Sequence, residues 1–445
     1  MSVLDFLKPP SAAPPIADAG TVQQQYRYWR WRVFYSMYIG YAFYYFTRKS
    51  YTFAMPSLMA DLGFTKADLG ALGSVMAITY GLSKFLSGIQ SDRSNPRYFM
   101  SIGLILTGLA NICFGYSSSL LLFALFWGIN GWFQGWGWPP CAKLLTHWYG
   151  QAERGTWWGI WNTSHNVGGA LIPILATYCA AKWGWRSAMM VPGIICLIGG
   201  VFLMNRLTDT PKAVGLPSIE KFRGEAADEP ETTSLPPPSA REILFKLVLS
   251  NGYLWILGLA YFFVYAVRTA VNDWSVLFFV EHRNYTLLAA GTCIFWFEAG
   301  GFCGSLAAGW LSDRLFAGRR GPINVLFCLG VSLAVGLLWF VPAGWALVDS
   351  LLMFVIGFLI FGPQMLIGVA AAELSHKSTA GSATGFIGWI GYLGAAGAGY
   401  PMGLMMQHWG WESYYIALVV CGISSVLLLA PLWSTRAASR SLPSA

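Results

Sequence analysis

Charge is what this sequence has least of. Only 11% of its 445 residues are Asp, Glu, Lys or Arg, while 56% are hydrophobic. The mean hydropathy is +0.51. Soluble domains carry about 25% charged residues, so these few cannot cover a soluble fold of this size. A large soluble enzyme is excluded, and so is a nucleic-acid-binding protein, despite a formal net charge of +8. Catalytic signatures are also missing. There is no HExxH, GxxxxGK[ST] or GxSxG run, so zinc hydrolysis, ATP use and a serine nucleophile have no motif to rest on. The eight cysteines (113, 141, 179, 196, 293, 303, 328 and 421) form no CxxC pair and sit in or near apolar runs. They read as packed free thiols. The expectation is therefore no enzyme, no cofactor and no metal.

What is present is a series of apolar runs. They lie near 33–57, 69–90, 98–117, 119–145, 157–181, 187–205, 252–280, 288–311, 322–342, 347–372, 381–405 and 412–433. Each suits one crossing of a bilayer, which takes about 20 residues. Continuous runs also exclude a transmembrane β-barrel, whose strands alternate. The expected organisation is a tail at 1–32, a six-helix half at 33–205, a polar loop at 206–249, a second half at 250–433 and a tail at 434–445. No cleaved signal peptide is expected from the first 25 residues.

Basic residues orient these spans. Twenty of the 28 Lys and Arg fall on the side of the termini and central loop, and four (Lys66, Lys182, Arg186, Arg283) on the other. The positive-inside rule places both termini in the cytoplasm of a multi-pass inner-membrane protein, with lipid as its surroundings. Four more, Arg48, Lys49, Lys84 and Arg268, fall inside spans. The halves echo each other: Ser91-Asp92-Arg93 and Ser312-Asp313-Arg314 are 221 apart, and Arg48 and Arg268 are 220 apart. Such a duplication suits a transporter with its site between two repeats.

The intramembrane charges are the candidates for function. A buried arginine faces a cavity or a partner, and its rigid fork of donors matches phosphate or carboxylate oxygens. Arg48 and Arg268, one from each half, would suit a phosphate monoester. Asp273 could pair with Arg268 or neutralise the empty site. Lys49 points away from Arg48 and could reach the far surface. Lys84 is either a snorkelling lysine or a second cation at the site. His165, in a polar run, is either a hydrogen-bonded core histidine or a group that follows the charge of a phosphate. Tyr45 and Trp161 are candidate surfaces for a sugar. Glu298 could balance an arginine or hold a helix contact, while Glu373 is expected at the solvated edge. Asp92, Arg93, Asp313 and Arg314 sit on short turns and could gate the cytoplasmic side as a network.

Several runs carry a resemblance. They are Gly40-Tyr41-Ala42-Phe43-Tyr44-Tyr45-Phe46-Thr47-Arg48-Lys49, Tyr80-Gly81-Leu82-Ser83-Lys84-Phe85, Gln134-Gly135-Trp136-Gly137-Trp138-Pro139-Pro140-Cys141, Trp161-Asn162-Thr163-Ser164-His165-Asn166 and Phe361-Gly362-Pro363-Gln364-Met365. With them, the chain resembles the organophosphate:phosphate antiporter family of the major facilitator superfamily over nearly its whole length. Asn272-Asp273-Trp274 and the run 370–377 are most similar to its hexose-phosphate members. The resemblance implies an all-α membrane protein of twelve transmembrane helices in two pseudo-symmetric halves, working by alternating access. It maps the family's two essential arginines onto Arg48 and Arg268, its second-helix lysine onto Lys84 and its fifth-helix histidine onto His165. It implies exchange of glucose 6-phosphate for inorganic phosphate. Two alternatives stay open: a sensor of external glucose 6-phosphate that signals to a membrane histidine kinase, and a glycerol 3-phosphate carrier. The run 381–405 has no charged residue, so substrate choice cannot be taken from a charge there.

Overall fold

The computed structural model describes residues 7–92, 94–224, 248–375 and 380–435. Among these residues regular structure is helical, in the order α1 (Ala19–Leu62), α2 (Lys66–Asp92), α3 (Pro96–Tyr116), α4 (Leu120–Gln134), α5 (Trp138–Trp148), α6 (Gln151–Asn162), α7 (Ser164–Trp183), α8 (Trp185–Arg206), α9 (Ile219–Arg223), α10 (Gly252–Glu281), α11 (Leu287–Leu315), α12 (Arg320–Phe340), α13 (Ala346–Glu373), α14 (Ala380–Gly397) and α15 (Tyr400–Leu429). In lipid only a helix satisfies its own backbone, and here local signals set the ends. Asp18 caps α1 by accepting from the Thr21 N–H, and Gly63, at φ 69°, closes it in the left-handed region.

Among the described residues, eight stretches are long and apolar enough by themselves to cross a membrane, and one of them, Ser382–Leu432, holds two crossings. Gly410 turns the chain inside α15 (φ 70°, ψ −172°). The first arm of α15 therefore continues the eleventh span, and the second arm is the twelfth. The other three crossings miss that standard for visible reasons. The first carries Arg48 and Lys49 within α1. The fourth is split into α4 and α5 at Gly135-Trp136-Gly137, and the fifth into α6 and α7 at Thr163.

The break in the fourth span is satisfied from α2. Ser83 donates to the Trp132 carbonyl, and Ser87 donates to the Gly135 carbonyl at 2.7 Å. A Cβ on Gly135 would meet Ser83 Oγ at 2.4 Å and the Lys84 amide at 2.8 Å. The break thus allows α2 to approach closely and holds Lys84 in place. The break in the fifth span has Thr163 donating to the Ile160 carbonyl at 2.7 Å, with Tyr38 of α1 hydrogen-bonded to its hydroxyl at 2.8 Å.

We call the end bearing the termini the terminal side and the opposite end the distal side. Joining contacts between the halves gather from mid-span toward the distal side. Ser74 donates to the Ala396 carbonyl at 2.6 Å and accepts the Tyr400 N–H at 2.8 Å. Lys66 pairs with Glu281 at 2.7 Å. On the terminal side each half holds an ion cluster of its own. Arg30 and Arg223 share Glu153 at 2.5 and 2.6 Å in the first half. Arg320 joins Asp313 at 2.6 Å and Glu373 at 2.9 Å in the second.

Candidate substrate site between the halves

Arg48 is half-buried on α1. Its Nε donates to Gln134 Oε1 at 3.1 Å. Gln134 is fixed in turn by donating to the Tyr44 carbonyl and Thr47 Oγ1, each at 2.9 Å. The guanidinium stacks over Tyr45 (4.5 Å) and Tyr80 (4.2 Å), where the ring faces favour a cation. Its Nη2 is buried without a hydrogen-bond partner.

Arg268, half-buried on α10, lies over Phe361 (4.7 Å) and Tyr265 (5.9 Å). Its Nε also lacks a partner. Among the described residues it forms no ion pair. The alternative in which Asp273 pairs with Arg268 is therefore not what the chain adopts: Asp273 Oδ1 accepts from Asn272 Nδ2 at 2.6 Å.

The two arginines are linked by a closed ring of side chains. One arc runs from Arg48 to Tyr45, then to His165 (5.7 Å), Phe361 (6.0 Å) and Arg268. The other runs from Arg48 to Tyr80, then to Tyr392 (4.7 Å), Tyr265 (5.2 Å) and Arg268. Both halves contribute to each arc. His165, in the first turn of α7, leaves Nε2 unpartnered between Tyr45 and Phe361. Lys84 extends the ring, its Nζ 5.3 Å from the Trp138 ring and 5.5 Å from Tyr392.

Lys49 does not reach the surface. It is 5% exposed and forms an ion pair with Glu298 of α11, which is fully buried. It also donates to Asn272 Oδ1 at 2.6 Å. Asn166 donates to the second Glu298 oxygen at 3.4 Å. Adjacent residues on a helix point in different directions, so Arg48 faces the ring while Lys49 straps the halves together beside it. The cations Arg48, Lys49, Lys84 and Arg268, with the carboxylates Glu298 and Asp273, leave this region a formal charge of +2.

Trp161 stands behind the ring rather than on it. It is fully buried against Tyr41 (5.0 Å), Trp158 (5.9 Å) and Trp138 (6.5 Å). Asp313 takes Arg320, not its neighbour Arg314, as partner, and Arg314 is exposed without an ion pair among the described residues. Glu373 also pairs with Arg320, so it is not simply solvated. Arg93 and the Asp92 side chain lie outside the described residues. Sequence reasoning missed Tyr80, Tyr265, Phe361 and Tyr392 as site residues. A signal for two ring tyrosines was there: Tyr41, Tyr45 and Arg48 recur 220 residues later as Tyr261, Tyr265 and Arg268.

The family model described as Major Facilitator Superfamily matches residues 37–399. The chain belongs to that superfamily. Its helical architecture of two pseudo-symmetric six-helix halves is the superfamily's. It is 55% identical to a probable hexose phosphate transport protein of Chlamydia trachomatis, over 96% of each chain. It is 48% identical to the membrane sensor protein UhpC of Escherichia coli, covering 96% of this chain and 98% of that one. Among solved structures, a bacterial homolog of the human lysosomal transporter Spinster superposes with a TM-score of 0.74 at 14% identity, covering 91% of this chain and 96% of that one. The last likeness concerns the fold alone.

Proposed function

We propose that this superfamily member is a secondary carrier that exchanges a hexose 6-phosphate, glucose 6-phosphate first, for inorganic phosphate by alternating access. The observation that carries the reading is the ring: two half-buried guanidiniums, one from each half, with free buried donors at Arg48 Nη2 and Arg268 Nε. A phosphate monoester carries a charge of about −1.5 to −2 at neutral pH, which complements the local +2. Charge-assisted bonds from two guanidiniums to one anion also draw the halves together. Binding energy can thereby be used to close the terminal side, where Asp313, Arg320 and Glu373 form the second half's share of a gate. Asp92, Arg93 and Arg314 belong to that gate by the sequence repeat. Lys84 adds a cation, and His165 adjusts to the protonation of the bound phosphate.

In this reading the protein lies in the inner (plasma) membrane with both termini and the loop 206–249 in the cytoplasm, as the Lys and Arg bias implies. The halves are 33–205 and 250–433. A second reading is a sensor of external glucose 6-phosphate that signals to a membrane histidine kinase. It is favoured by the 48% identity to a protein named as a membrane sensor.

Reconstitution in phosphate-loaded liposomes decides between them. The carrier reading expects uptake of labelled glucose 6-phosphate against trapped phosphate, lost in Arg48→Lys and in Arg268→Lys. Binding without exchange would sink the carrier and favour the sensor. Undiminished exchange in Arg268→Ala would refute the two-arginine clamp, and preference for glycerol 3-phosphate would replace the hexose.

A further inference from the structure

The free arginine groups at the ring are donors, as a phosphate needs: Arg48 Nη2 and Arg268 Nε, while His165 Nε2 beside them is also unpartnered. One free group, an amide oxygen, can only accept. Gln364 Oε1 is buried and has no hydrogen-bond partner. Gln364 follows Phe361 by three residues on α13, so the two share a helix face. It lies about 4.5 Å further toward the terminal side, at about 1.5 Å of rise per residue. Tyr261, two turns before Arg268 on α10, stands at the same level and donates to the Gln364 carbonyl at 2.8 Å. That bond anchors the backbone from which the amide projects.

Along the bundle axis, a phosphate held by Arg48 and Arg268 has its organic part directed toward the terminal side. The distal direction is blocked by the Lys49–Glu298 pair with Asn272 and beyond it by the Ser74–Ala396 bond. The terminal direction leads past Phe361 to Gln364. A fully ionised phosphate monoester has only acceptors on its phosphate, whereas a sugar or polyol brings hydroxyl donors. A buried acceptor without a donor is costly, and a hydroxyl relieves that cost.

We propose that Gln364 is a specificity-determining residue whose amide oxygen accepts a hydrogen bond from a hydroxyl of the organic part of the substrate. It thereby distinguishes an organophosphate from inorganic phosphate. The inference rests on the phosphate-ester reading above and adds to it which residue reads the organic part.

The test measures Kd for glucose 6-phosphate and for inorganic phosphate on the purified full-length chain by calorimetry. Gln364→Leu is expected to weaken glucose 6-phosphate about 2- to 13-fold, the span of one neutral hydrogen bond, with phosphate affinity unchanged. Retained phosphate binding also reports that the variant is folded. If Gln364→Leu does not fold, Gln364→Asn, which withdraws the same acceptor by one methylene, is judged by the same ratio. Equal weakening of both ligands, or no weakening of either, overturns the proposal. A wild-type chain that binds phosphate but not glucose 6-phosphate overturns the hexose reading itself, and that result is distinct because it needs no variant.

Discussion

Replacing Lys49 by Met removes one partner of a strap that crosses between the halves. Met keeps the length of the side chain and loses the charge. Glu298, fully buried, then keeps only the 3.4 Å bond from Asn166, and Asn272 Oδ1 loses its 2.6 Å donor. Breaking a buried pair by deleting one member costs about 3–5 kcal/mol, because the other charge stays behind uncompensated. In chains of 150–250 residues 1 kcal/mol moves the melting midpoint by about 2–4 °C, and by less in longer ones. For 445 residues the shift is about 1 °C per kcal/mol, so Lys49→Met in detergent should melt roughly 3–5 °C below wild type. Glu298→Gln should fall similarly, since it strands Lys49. The double variant has no charge to strand and should recover most of the loss, as buried pairs replaced together often do. The assay is a thermal melt of all four proteins read as a double-mutant cycle. If the double variant falls by the sum of the two single losses, the strap does not exist as described. A Lys49→Met chain as stable as wild type refutes the reasoning at its first step.

Three further outcomes are expected. Gly135→Ala places a methyl 2.4 Å from Ser83 Oγ and 2.8 Å from the Lys84 amide; overpacking of this kind costs about 1–3 kcal/mol, so the melt should drop and exchange should slow. In the segment after α8, burial pushes the Asp209 carboxyl above its ordinary range, against the pull of Lys143 at 3.1 Å. A raised carboxyl contributes stability at low pH that is lost as pH rises through its folded value, so Asp209→Asn should gain on wild type as melts move from pH 4 upward, and a constant difference would contradict that sign. Arg320→Ala cuts the links to Asp313 and Glu373 together, and if these form part of a gate, exchange should fall while the Kd for phosphate stays put.

Some of this was legible in one dimension. Hydropathy and spacing locate twelve runs, and the structure answers them with helices, though not one helix per run. The single run 119–145 is two helices, broken at Gly135-Trp136-Gly137, where the Trp132 and Gly135 carbonyls accept from Ser83 and Ser87 of another span. Hydropathy cannot report a partner of that kind. Arg48 and Arg268 stood out because an unpaired cation inside a span is expensive wherever it lies. Trp161, a candidate sugar surface by its sequence, packs behind Trp138. Tyr80 and Tyr392 went unremarked because an aromatic in an apolar run is the usual filler of a helix interface.

The sequence by itself therefore determined residence in lipid, helical spans in a duplicated order, and which charges lie inside them. These are local properties, since each depends on the transfer of a short segment from water. The tertiary structure decided which charge meets which. Lys49 pairs with Glu298 across 249 positions and Arg268 leaves Asp273 to Asn272. The reason is that ion pairing depends on which helix faces approach. That approach is set by close contacts such as Gly70 against the Gly399 carbonyl, where a Cβ would come within 2.5 Å.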